Sequence, residues 1–167
     1  MLFLASVYHC GTRFCRESLL SDFNFDPHTI GTCPQATHIH IEPAHFKSLQ
    51  YWLNAAEHIV VPLRHPVLVA ESWKARGLDL EALDEQWCTL ADVVVPHDPI
   101  YLPVDHPDRC LYLEVLNQRI GLDLKTDWEK VGARLPQDIR NDEPLTSDER
   151  QRAEHWSRLG VFVDVYG

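Results

Sequence analysis

The sequence predicts an α/β domain built on a parallel sheet, and three observations predict it. Apolar stretches of strand length alternate with amphipathic stretches of helix length, an order that right-handed crossovers turn into a parallel sheet. One strand stretch, HIVVPLR (His58 to Arg64), is apolar without alternation up to its terminal charge, as a strand covered on both faces must be. At 167 residues the chain suits a single domain, residues 1–167, long enough to bury roughly two thirds of its unfolded surface.

The elements follow in order. Leu2 to Tyr8 is apolar, contains a β-branched residue and lacks a breaker, so it reads as a buried strand. From Thr12, Phe14, Cys15, Leu19 and Leu20 recur at helical spacing, and Thr12 is a candidate N-cap. Phe23 to Pro34, with two prolines and a glycine, is expected to be an irregular loop. ATHIHIEP alternates, with Ile39 and Ile41 on one face and His38, His40 and Glu42 on the other, which is strand periodicity. Pro43 at a helix start leads into AHFKSLQYWLNAAE, an amphipathic helix. After HIVVPLR, a helix is expected from Pro66 to Gly77 and another from about Leu80 to Leu90. A strand over Pro99 to Asp105 and a helix over about Pro107 to Ile120 come next. Residues 134–147 are expected to form a polar loop. Thr146, Ser147 and Glu149 then suggest a capping box for a helix ending near Gly160. VFVDVY is read as an added strand or a packed tail.

Composition narrows the function classes. Apolar residues make up 45% and charged residues 24%, an ordinary globular balance. No stretch approaches the ~20 apolar residues of a membrane span, and MLFLASVY lacks the basic flank and length of a signal sequence. The expected localisation is cytoplasmic, without a membrane partner. Cys10, Cys15, Cys33, Cys88 and Cys110 are odd in number and irregular in spacing, which fits reduced thiols rather than a disulfide framework or a zinc ribbon. The net charge is −10, and its whole excess lies after Arg76, because Met1 to Arg76 carries six basic and six acidic residues. A nucleic-acid partner is therefore not expected. The neutral first half remains open to an anionic ligand.

SVYHCGTRFCRESLL, Ser6 to Leu20, supports two chemistries. As His9-Cys10, five residues, Arg16, it has the spacing of a cysteine phosphatase loop, in which a thiolate attacks phosphorus. As Cys10-Gly11-Thr12-Arg13 between a strand and a helix, it is a turn whose amides and helix N-terminus receive an anion. Gly11 lets the backbone approach, Thr12 adds a hydroxyl and Arg13 adds a fork of donors. A phosphatase loop needs small residues where Phe14 and Cys15 stand, and a hydroxyl residue after the arginine where Glu17 stands. A second anion element, RHPVLVAES, ends a strand on Arg64 and carries Ser72 two turns into the next helix.

Arg64, Pro66 and Ser72 resemble the segment with which sulfotransferases hold the 3′-phosphate of 3′-phosphoadenosine 5′-phosphosulfate. Cys10 to Arg13 resembles that family's 5′-phosphosulfate loop, usually Lys-x-Gly-Thr followed by Thr or Arg. Thr37-His38-Ile39-His40 is similar to its Lys-Thr-His-Leu strand, which bears the catalytic histidine. YLPVD, the helix ending in Gln118-Arg119-Ile120-Gly121-Leu122, and TDW resemble its later strand, helix and Gly-Leu turn, so the likeness covers about residues 2–130. It implies a P-loop-like three-layer sandwich and an enzyme that transfers a sulfuryl group to a hydroxyl or amine on a small-molecule or glycan acceptor, without a metal. It further implies that Cys10, Gly11, Thr12, Arg13 and Phe14 hold the 5′ end, Arg64 and Ser72 hold the 3′-phosphate, and His38, His40 or Glu42 is the base. His9 stands where the family has its loop lysine and is positive only when protonated. The chain is also short for an enzyme with a large acceptor site.

Other readings stay open beside this one. The chain could be a cysteine phosphatase acting through Cys10, or a nucleotide-binding module that has kept the site and lost the chemistry. Arg64 could pair with Glu71 or Asp105, Ser72 could be an ordinary helix serine, and Arg13 a solvated one. His38, His40, Glu42 and His45 are suitable types for a zinc site, although polar residues at one strand face often lie simply at an edge. The tryptophans suit the core or its boundary, and Trp73 could border an adenine.

Overall fold

A computed structural model describes residues 1–25, 35–131 and 143–167. It has four parallel strands, β1 (Leu2–Ser6), β2 (Ala36–His40), β3 (His58–Leu63) and β4 (Ile100–Pro103), in the order β2-β1-β3-β4. The first crossover runs from β1 to one side, and the next passes back over β1 to β3. The order therefore reverses between β1 and β3, the kind of switch point beside which open α/β sheets bind ligands, outside the carboxyl ends of the strands.

Side-chain alternation along β1 divides the interior in two. Phe3, Ala5 and Val7 join the larger core, while Leu2 and Leu4 join the smaller. On the larger side the sheet is covered by α2 (Phe46–Ala55), α3 (Pro66–Ala75), α4 (Leu80–Thr89), α6 (Ser147–Trp156) and α7 (Gly160–Tyr166). On the other side lie α1 (Thr12–Phe14), with the π-helical turn Cys15–Leu19 that extends it, and α5 (Arg109–Ile120). The result is an α/β protein of three layers.

Several boundaries differ from expectation for local reasons. Thr12 is the first residue of α1 rather than its cap. Gly11 occupies the cap position at φ 89° and offers no side-chain bond. α4 ends at Thr89, next to the expected Leu90, and a π turn over Leu90–Val94 and a 3-10 turn over Val95–His97 then carry Leu90 and Val94 into the core before β4. VFVDVY adds no strand but packs as the tail of the chain in helical form: it lies in α7, whose Val161, Phe162 and Val165 are buried at helical spacing. The capping box of α6 forms as expected, Thr146 and Glu149 bonding each other's main chain. α6 is almost wholly polar and is held by ion pairs, Lys74 to Glu149, Arg150 to Glu71 and Arg152 to Asp84, and by Trp156 Nε1 donating to Asp84 at 2.6 Å. Most of the two expected loops, over Phe23 to Pro34 and residues 134–147, lies outside the described residues, as does Cys33.

Candidate functional site at the β1–β3 switch point

The chain leaves β1 through a turn built by two left-handed residues, His9 at φ 67° and Gly11 at φ 89°, with Cys10 N–H donating to the Val7 carbonyl. Neighbouring elements clamp this turn. The Tyr8 amide donates to Gln86 Oε1 at 3.1 Å, and the Tyr8 carbonyl accepts from Trp73 Nε1 at 3.1 Å. Gln86 is buried on α4, and the Trp73 ring also meets the edges of Tyr8 and His9. Both backbone groups of Tyr8 are thus held from the larger core before the chain turns back to start α1.

Beyond the clamp, the amides of Gly11, Thr12, Arg13 and Phe14 make no hydrogen bond among the described residues. Successive free amides at a helix start attract an anion. Thr12 Oγ1 is buried without a partner, an arrangement that costs free energy unless something bonds it. Arg13, however, is exposed and turned along its own helix to Glu17 at 3.0 Å, and the Phe14 ring packs into the smaller core beside Trp128. Only their amides serve the turn.

Cys10 points inward. It is fully buried. Burial pushes its thiol well above the usual range, only partly opposed by the Arg64 charge. Cys15 is likewise pushed up to about 12 by burial. A thiolate nucleophile needs the opposite environment. Arg16, the arginine of the phosphatase spacing, lies over the Phe25 ring at 5.4 Å.

At the end of β3, the Arg64 guanidinium forms no ion pair among the described residues. Both carboxylates proposed for it are engaged elsewhere. Glu71 binds Arg150, and Asp105 accepts from the His65 amide at 2.9 Å and from the Tyr166 hydroxyl at 2.6 Å. Ser72 is buried on α3, and its Oγ accepts from Arg76 at 2.5 Å.

The third component comes from β2. His38 and His40 share a strand face, as their alternation predicts, and both reach the Ser6 hydroxyl. Burial, with smaller contributions from His40, Arg16 and His45, lowers the His38 pKa to about 3. Burial also lowers that of His40, whose ring stacks on Tyr8 with centroids 3.6 Å apart. Glu42 turns to His45 at 2.9 Å. Among the described residues, no three His, Cys, Asp or Glu side chains are grouped to hold a metal.

The structure thus gathers Cys10, Gly11, Thr12, Arg64, His38 and His40 around one sheet edge, and it engages Arg13, Ser72 and Glu42 locally. Ser6, Tyr8 and Gln86 escaped the sequence reading. Ser6 had one signal, being the lone hydroxyl in an apolar strand, whereas Gln86 sits unmarked between Leu83 and Trp87. Comparison of the chain with protein-family models, with curated proteins and with solved structures finds no match.

Proposed function

We propose that the chain is a sulfotransferase-like protein of P-loop-like architecture that binds 3′-phosphoadenosine 5′-phosphosulfate at the β1–β3 switch point. The observation that carries this reading is the pairing of four free amides and an unpartnered buried Thr12 hydroxyl with an arginine that lacks an ion pair among the described residues. Amides of Gly11 to Phe14 and Thr12 Oγ1 hold the 5′ end, while Arg64 and Ser72 hold the 3′-phosphate. The bound nucleotide supplies an activated sulfuryl group: the acceptor's oxygen or nitrogen bonds to sulfur as the bond from sulfur to the phosphate oxygen breaks. His40 Nε2 takes the acceptor's proton, since His40 ends its strand at the carboxyl edge and His38 lies one step further in. The acceptor is a small molecule or glycan, the compartment is the cytoplasm, and neither nucleic acid nor a metal takes part.

The buried Cys10 thiol favours the amide cradle over the phosphatase. Calorimetry tests the reading: adenosine 3′,5′-bisphosphate binds clearly more tightly than adenosine 5′-phosphate. Equal affinities would remove the 3′-phosphate site and the reading with it. Tight binding without sulfuryl transfer to any hydroxyl or amine acceptor would leave a nucleotide-binding module in which His9 does not replace the loop lysine.

A further inference from the structure

Two histidines of β2 converge on one hydroxyl. Ser6 is fully buried at the end of β1 and stands opposite His40 in the ladder. Its Oγ lies 2.9 Å from His38 Nε2 and 3.3 Å from His40 Nδ1. A hydroxyl has one proton, so it donates to one ring and accepts from the other. Either His38 donates to Ser6 and Ser6 to His40, or the chain of donors runs the opposite way.

The two distances decide between them. The shorter contact, 2.9 Å to His38, is the one made by the hydroxyl proton, as suits an O–H donor, and the longer, 3.3 Å to His40, is the ring N–H donating to the Ser6 oxygen. Tyr8 keeps the arrangement in place. Its ring lies 3.6 Å from His40 and within 13° of parallel, and a flip of the imidazole has to pass through a plane that this stack blocks. His38 closes the remaining side edge-on at 4.5 Å. The other charged groups acting on the pair are Arg16, His45 and Glu42.

The geometry points to Ser6 as a positioning residue that holds His40 in the tautomer with its proton on Nδ1, leaving the Nε2 lone pair for the acceptor's proton. By the same hydroxyl it holds His38 with its proton on Nδ1 and its Nε2 occupied. The role rests on the proposed reading of His40 as the base; the tautomer itself does not.

The experiment is long-range proton–nitrogen NMR on ligand-free protein labelled with nitrogen-15 in histidine, at neutral pH, with His38→Gln and His40→Gln assigning the signals. The expected result is a protonated Nδ1 and an unprotonated Nε2 on both rings. A His40 ring protonated on Nε2 overturns the inference. Ser6→Ala removes the hydroxyl, so His38 shifts toward the Nε2-protonated form that free histidine prefers. The same change lowers kcat ~10-fold with the KM for the sulfuryl donor unchanged, and Ser6→Thr restores both readouts. Unmoved tautomers in Ser6→Ala would also overturn it. If the expected tautomers are found in a protein that transfers no sulfuryl group, the proposed function fails and the assignment of Ser6 stands.

Discussion

A Cβ placed on Gly11 would come within 2.9 Å of both methyl carbons of Val104, the residue that follows β4. The turn after β1 is therefore seated directly on the end of β4, and its glycine answers two demands, a φ of +89° and the absence of a side chain. Gly11→Ala should destabilise through both. The left-handed backbone costs about 1 to 2 kcal/mol and the overlap with Val104 about 1 to 3 kcal/mol. Val104→Ala added to Gly11→Ala relieves only the second. Urea unfolding of the two single variants and the double variant checks this, and simple additivity would mean that the turn does not rest on Val104.

Thiol reactivity separates the two chemistries of the loop. Cys10 and Cys15 are fully buried, whereas Cys88 and Cys110 are exposed. In native protein at neutral pH, an alkylating reagent should label Cys88 and Cys110 and leave Cys10 and Cys15 until denaturant is added. On the proposed reading Cys10→Ser should retain binding of adenosine 3′,5′-bisphosphate, because the side chain at this position points into the core and the amides of the cradle belong to Gly11 to Phe14. Rapid native labelling of Cys10, or an aryl-phosphate hydrolase activity lost in Cys10→Ser, would restore the phosphatase.

On the proposed reading, Arg64 carries the discrimination between nucleotides. With Glu71 and Asp105 committed elsewhere, its guanidinium is available to a 3′-phosphate. Arg64→Ala should weaken adenosine 3′,5′-bisphosphate by roughly 2 to 4 kcal/mol and leave adenosine 5′-phosphate almost unchanged. Ser72→Ala should act in the same direction by about 1 kcal/mol, since the serine is neutral and already bonded by Arg76. Equal losses for both nucleotides would place Arg64 away from the 3′ position.

Acid stability reports on His38. Its pKa falls from an ordinary 6.5 to about 3 in the folded chain, so the unfolded state takes up a proton that the folded state refuses. The stability is complete above about pH 6.5 and is lost as pH falls from there toward 3. Lowering the pH from about 6.5 to 5 should therefore cost wild-type protein about 2 kcal/mol more than it costs His38→Gln. Other histidines, among them His40 and His58 with pKa values also lowered by burial, are common to both proteins and cancel. Parallel stability curves would mean that His38 is protonated without unfolding.

What the sequence made legible follows the physics that is local. The continuous apolar run of β3, the alternation of β2 and the capping box at Thr146 are read from periods and end signals, and each lies where those signals put it. The clamp on Tyr8 is not local. Gln86 and Trp73 reach it from α4 and α3 across 78 and 65 residues; nothing near Gln86 marks it, and the position of Trp73 beside Ser72 suggests an adenine rather than the Tyr8 carbonyl. Likewise Arg13 looks like a ligand because a cation beside a glycine turn suggests one, yet Glu17 one helical turn later takes it. VFVDVY is apolar except at Asp164 over too short a span to decide its period, and burial of Val161, Phe162 and Val165 against the larger core goes with a helix.

The base is the remaining assignment. His38, His40 and Glu42 share a face at roughly 6.8 Å steps, and their partners rank them. Glu42 is held by His45, and His38 spends Nε2 on Ser6. His40 bonds Ser6 through Nδ1, and its Nε2 makes no hydrogen bond among the described residues. Its lowered pKa keeps it neutral, hence able to accept a proton, at cellular pH. His40→Ala should therefore lower turnover by ~10² to 10⁴ and leave adenosine 3′,5′-bisphosphate affinity within a factor of a few. His38→Ala should act less, through the orientation of Ser6, and Glu42→Ala least. If single alanines at all three positions left sulfuryl transfer intact, the strand would be structural. The base would then have to come from the turn itself, where His9, held left-handed against the Trp73 ring, is the candidate that remains.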